Sequence, residues 1–198
     1  DVYAGEVVLA SAFIIIMAIV NIRGIKQAAW LQTAIALTLV GCICIVTFLV
    51  MGMSDWSNLE PGFPDGRRWW KGVFSIVAMA PWAFIGFDCI PQAAEEFSFP
   101  DKRALRIMLS SIAIASLMYI MVNTATAVVF PWQEVLSEDW ATGTAVKAVL
   151  GTFGLVFVGI AMMCAVLSGM NAFLLSASRL CYAMSSADAI PAWFGKVD

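Results

Sequence analysis

The chain has 198 residues, of which 62% are hydrophobic and 13% charged; its net charge is −3 and it contains no histidine. Ordinary soluble domains are about 45–50% apolar, and with a mean hydropathy of +0.89 this composition argues against a water-soluble fold and for one in a lipid bilayer. The 11 Lys and Arg residues lie in short clusters between apolar runs and form no basic tract, so no nucleic-acid partner is expected.

A bilayer core about 30 Å thick takes roughly 20 mostly apolar residues per helix. Five such runs are expected, over residues 2–22, 28–51, 72–97, 104–130 and 150–184. The chain enters the first run almost at once, without a methionine, a basic leader or a cleavage site, and so reads as a piece of a longer protein. Arg23 and Lys26 divide the first run from the second. Short loops rich in Lys and Arg stay on the cytoplasmic side. That rule puts this loop inside, together with Lys102, Arg103 and Arg106 after the third run and Arg179 and Lys196 after the fifth. The segments around Met53–Trp70 and Pro131–Val149 then face outside, with the chain's N-terminus out and its C-terminus in. Trp56, Trp69, Trp70, Trp132 and Trp140 fall near the outer boundaries, where amphipathic rings gather. A multi-pass protein of the cell membrane is expected.

The third run is the most informative. Proline removes a backbone donor and clashes with the preceding turn, and glycine resists helix. Pro81, Gly86 and Pro91 stand close together there, so the helix is expected to break near 86–91. Freed backbone groups inside a bilayer persist only where protein buries them or where they line a watery cavity, and transporters hold polar ligands on such interrupted helices. A plain proline kink is the alternative. Asp88 weighs against the kink, because an acid in mid-span costs at least about 2.5–3.5 kcal/mol on insertion scales and normally faces a cavity, a partner or a proton path. Glu95 and Glu96, at the cytoplasmic end of the same run near Lys102 and Arg103, read as solvated or ion-paired carboxylates, or as a cytoplasmic gate.

Enzymatic and metal chemistry find little to work with. Cys42, Cys44, Cys89, Cys164 and Cys181 lie in or beside apolar runs without a CxxC pair, and read as small packing residues. With no histidine and no nucleophile constellation, neither an enzyme nor a cofactor or metal site is expected.

Three segments resemble the amino acid-polyamine-organocation superfamily: NIRGIK at 21–26, PWAFIGFDCIPQAAEEFSFPDKR at 81–103, and SGMNAFLLSASRLCYAMSSADAIPAWFGKV at 168–197. They match in order and spacing, as helices four to eight of about twelve. The resemblance implies an all-α integral membrane fold of five-plus-five inverted repeats, with a discontinuous third helix in this chain. It implies a secondary active transporter of amino acids or related amines, symporter or antiporter, whose partners are the substrate, the bilayer and the missing helices of the parent. The stretch WAFIGFD is similar to that of the bacterial arginine/agmatine antiporters. This likeness makes Trp82 an aromatic gate, the backbone of Ala83, Phe84, Ile85 and Gly86 a contact for the substrate ammonium, and Asp88 a gating acid. Some proton-coupled members carry a lysine where Leu39 stands, so a lysine-based proton cycle is not implied. Ser168 and Asn171 fall near where sodium-coupled relatives hold sodium, although small polar residues also serve as packing glue. A membrane scaffold that keeps the fold without moving solute is the alternative class.

Overall fold

The computed structural model describes residues 3–60, 62, 68–86, 89–92 and 100–195. These form helices and turns, with no strand among the described residues. In chain order the α-helices are α1 (Ala4–Ile22), α2 (Ile25–Met53), α3 (Trp69–Ala83), α4 (Cys89–Gln92), α5 (Asp101–Ala127), α6 (Trp132–Val135) and α7 (Ala141–Ser186). Short 3-10 turns lie at Trp56–Leu59 and Ala192–Gly195. The backbone is non-helical at Gly151, so α7 consists of two helical pieces joined there.

Four of these helices are long and apolar enough to cross a membrane: α1, α2, α5 and α7, with windows of mean hydropathy 2.3, 2.7, 1.9 and 2.4. They follow from runs rich in Leu, Ile, Val, Ala and Met, and in hydrocarbon a helix bonds its backbone polar groups within the segment. Large apolar side chains such as Val8, Ile15, Leu37 and Phe48 are exposed, an arrangement stable against lipid and costly against water. The chain is an all-α integral membrane protein. The third expected run is different, because α3 has only 15 residues and ends at Ala83.

The chain divides into two compact units. One comprises Leu37–Ile85 and Ser110–Cys164. Its core is Val46, Val50, Ala125 and Val146, with Phe157 and Val158 packed against it. The 3-10 turn at Trp56–Leu59 is tied to the end of α5 by Asn58, whose Nδ2 donates to the carbonyls of Val128 at 2.9 Å and Val129 at 3.2 Å. Carbonyls at a helix C-terminus have no donor inside the helix, and Asn58 supplies one.

The other unit comprises Asp1–Ala36, Gly86–Leu109 and Ala165–Asp198. Here α1 ends at Ile22 with Arg23 as its cap, and Gly24, at φ +120°, turns the chain into α2 without the steric cost a Cβ would meet. A polar network ties three helices. Asn21 Nδ2 on α1 donates to Asn171 Oδ1 on α7 at 2.7 Å, and Asn171 Nδ2 donates to Gln32 Oε1 on α2 at 2.9 Å. Gln32 Nε2 in turn donates to Ser168 Oγ at 2.6 Å. Asn171 is fully buried, and a buried amide is stable in a bilayer only when such partners satisfy it.

Candidate functional site

The site candidate is the end of α3 and the turn beyond it. Proline inside a helix withholds a backbone donor, and Pro81 lies within α3, two residues before its end. The helical pattern then tightens: Phe84 caps α3 at φ −107° and its N–H donates to the Pro81 carbonyl at 3.3 Å. Phe84, Ile85 and Gly86 form a turn, and Gly86 adopts φ +106°. L-residues rarely adopt that conformation, whereas glycine reaches it without penalty. A Cβ at Gly86 would meet nothing within 4 Å, so backbone conformation rather than crowding demands glycine there. Beyond it the Cys89 N–H donates to the Gly86 carbonyl at 3.1 Å, and the short helix α4 begins.

Trp82 stands on the last turn of α3 with 81% of its surface exposed. Ala83 and Ile85 are exposed too, while Phe84 and Gly86 are half-buried. Asp88, named from the sequence as a gating acid, and Glu95 and Glu96, read as solvated or ion-paired carboxylates or as a cytoplasmic gate, lie outside the described residues. Trp82, Ala83, Phe84, Ile85 and Gly86 therefore form one contiguous stretch at which the helix stops.

Sequence reasoning missed Tyr119. Its hydroxyl, on α5, donates to the Ala83 carbonyl at 2.6 Å. Its ring meets that of Phe84 edge-on, with centroids 5.6 Å apart at 76°. One side chain thus holds a carbonyl at the end of α3 and the ring of the next residue. Asn123, one turn further along α5, donates to the Tyr119 carbonyl at 2.8 Å. It also lines a cavity of about 480 Å³ together with Asn58, Thr126, Phe130 and Trp132. No local pattern announces these positions, because Ala83 and Tyr119 are 36 residues apart.

Among the described residues no group of three His, Cys, Asp or Glu side chains is placed to hold a metal ion. Chemically, the end of α3 offers peptide dipoles, an indole and a bend. A helix C-terminus carries partial negative charge, and a positively charged group beside it gains from both the dipole and an aromatic face.

The family model described as amino acid permease matches residues 4–198. Human "Cationic amino acid transporter 4" is 31% identical over 187 residues, covering 92% of this chain and 28% of that protein. The "Methylthioribose transporter" of Bacillus subtilis (strain 168) is 28% identical over 196 residues, covering 98% of this chain and 42% of its own length. The "Branched-chain amino acid permease BcaP" of the same organism is 24% identical over 188 residues, covering 94% of this chain and 40% of itself. The chain thus spans less than half the length of these relatives. No solved structure matches. The match over nearly its full length shows that the chain belongs to the amino acid permease family of the amino acid-polyamine-organocation superfamily.

Proposed function

We propose that the chain is the central part of a secondary active transporter, symporter or antiporter, that moves an amino acid or related amine across the cell membrane. The observation that carries this reading is the stop of α3 at Ala83 followed by the positive-φ turn at Gly86. A scaffold has no need of interrupted backbone within a transmembrane segment, whereas a transporter uses it to bind a polar solute without side-chain charge. In this reading the ammonium group lies against the carbonyl-rich end of α3 around Ala83 to Gly86, and Trp82 closes over it. Asp88 acts as a gating acid whose charge or proton changes during the cycle, and Glu95 and Glu96 serve as cytoplasmic gate candidates. Helices outside this chain complete the site, in keeping with the part of each relative that the chain spans. The basic segments at Arg23 to Lys26, between α1 and the start of α2, and at Lys102 to Arg106, on the first turns of α5, face the cytoplasm, since they are the basic ones.

The test is ligand-dependent thermal stability of the full-length protein that contains this chain, measured against a panel of amino acids and amines. A ligand that binds only the folded state stabilises it by RT ln(1 + [L]/Kd), so a substrate raises the midpoint in a concentration-dependent way. Trp82→Ala removes a cation-π contact worth about 0.5–2 kcal/mol, so the apparent Kd should rise about two- to thirtyfold. No stabilisation by any amino acid or amine in the panel, from a protein that unfolds cooperatively, contradicts transport and favours the scaffold.

A further inference from the structure

Resting on that reading, we infer that Tyr119 is a positioning residue for substrate binding, a tether on α5 that fixes the end of α3 in its interrupted, binding-competent form.

Carbonyls at the end of a helix lack intrahelical donors, and in a bilayer the solvent provides none. The Ala83 carbonyl receives the Tyr119 hydroxyl at 2.6 Å. That hydroxyl, inside a helix expected to cross the hydrocarbon, needs an acceptor as much as the carbonyl needs a donor. The second contact is independent of the first: the Phe84 and Tyr119 rings meet edge to face at 5.6 Å, one of the favourable aromatic geometries. The hydroxyl fixes where α3 stops, and the ring fixes the direction of the turn that follows. Neither contact uses the exposed faces of Trp82 and Ile85, which stay open to a ligand.

The two contacts separate chemically. Tyr119→Phe keeps the ring against Phe84 and deletes the donor; Tyr119→Leu deletes both. Interhelical hydrogen bonds in membranes contribute about 0.6 kcal/mol on average and up to about 1.7 kcal/mol. A turn released by that amount spends less time in its competent form, and apparent affinity falls with that population. For Tyr119→Phe the apparent Kd should therefore rise about threefold, and by no more than about twentyfold. Tyr119→Leu should raise it further.

The experiment uses the full-length protein in detergent or nanodiscs and has two arms. Binding of the amino acid or amine that stabilises the parent protein is measured for parent, Tyr119→Phe and Tyr119→Leu. In parallel, hydrogen exchange with mass spectrometry follows the peptide covering residues 80–92 without ligand. The tether predicts weaker binding by Tyr119→Phe, faster exchange confined to that peptide, and a thermal midpoint close to the parent's. Unchanged exchange in that peptide, or binding equal to the parent's, overturns it. So does a loss of thermal stability with exchange raised throughout the protein, which marks a general packing role. A parent protein that binds none of the amino acids or amines fails the transport reading instead, and the exchange arm then decides the tether alone.

Discussion

Replacing Gly86 by alanine is the sharpest perturbation of the interrupted helix. Gly86 holds φ +106°, and a residue with a Cβ in a sparsely populated region of this kind costs about 1–3 kcal/mol. Alanine also restricts the unfolded chain, which offsets about 0.4–1 kcal/mol of that cost. A net penalty of about 0.5–2 kcal/mol remains. Nothing lies within 4 Å of the new methyl group, so the penalty is conformational and the turn can relieve it by rotating away from its present form. Relief of that kind distorts the ligand-facing backbone, and the expected result is a two- to thirtyfold rise in apparent Kd, about tenfold per 1.4 kcal/mol, with little change in thermal midpoint. Gly86→Asn, which tolerates positive φ better than alanine, should fall between Gly86→Ala and the parent. The assay is saturation binding of labelled substrate to purified full-length protein, with thermal unfolding on the same samples. Gly86→Ala equal to the parent in both affinity and stability would refute the reasoning, since the left-handed turn would then not be needed.

Two further outcomes follow from the polar contacts. Asn171→Ala removes the acceptor for Asn21 and the donor for Gln32 in the three-helix network; the unfolding free energy should fall by about 1–3 kcal/mol, and a denaturation midpoint equal to the parent's would contradict that. Asp55 lies outside the spans, and the Ser57 N–H donating to it at 3.0 Å holds its carboxyl below the ordinary value of 3.8. Because the folded pKa is the lowered one, the cap's contribution is present above the unfolded value and is lost as pH falls through the folded value. A carbon NMR titration of the Asp55 carboxyl should give a midpoint under the ordinary value, and a midpoint at or above it would contradict the cap.

The long spans were legible because lipid imposes a simple rule: α1, α2 and α5 begin and end within three residues of the apolar runs that announced them. The interruption after Ala83 was legible for a local reason, since Pro81 and Gly86 each limit the backbone wherever they stand. What could not be read was long-range. The Tyr119 hydroxyl finds Ala83 across 36 residues, Asn58 finds Val128 across 70, and Asn21 finds Asn171 across 150. Such pairs depend on which helices become neighbours, and apolar runs of similar composition do not encode that choice locally. Ser168 and Asn171 show the same limit. The sequence left them between a sodium site and packing, and in the structure their side chains bond to Gln32, with Asn171 also bonded to Asn21. Asp88, Glu95 and Glu96 lie outside the described residues, so their roles rest on the chemistry of acids in and beside a membrane span.

If this chain forms part of a transporter of amino acids or amines, as we propose, the full-length protein exchanges its substrate across a bilayer. The most direct measurement is counterflow: the full-length protein is reconstituted in proteoliposomes preloaded with one unlabelled amino acid or amine at a time, and uptake of the same labelled compound is followed. Saturable accumulation of at least one compound is expected, exceeding the level in protein-free liposomes and reduced in Gly86→Ala. Correctly inserted, cooperatively unfolding protein that exchanges none of the amino acids or amines would contradict the proposal.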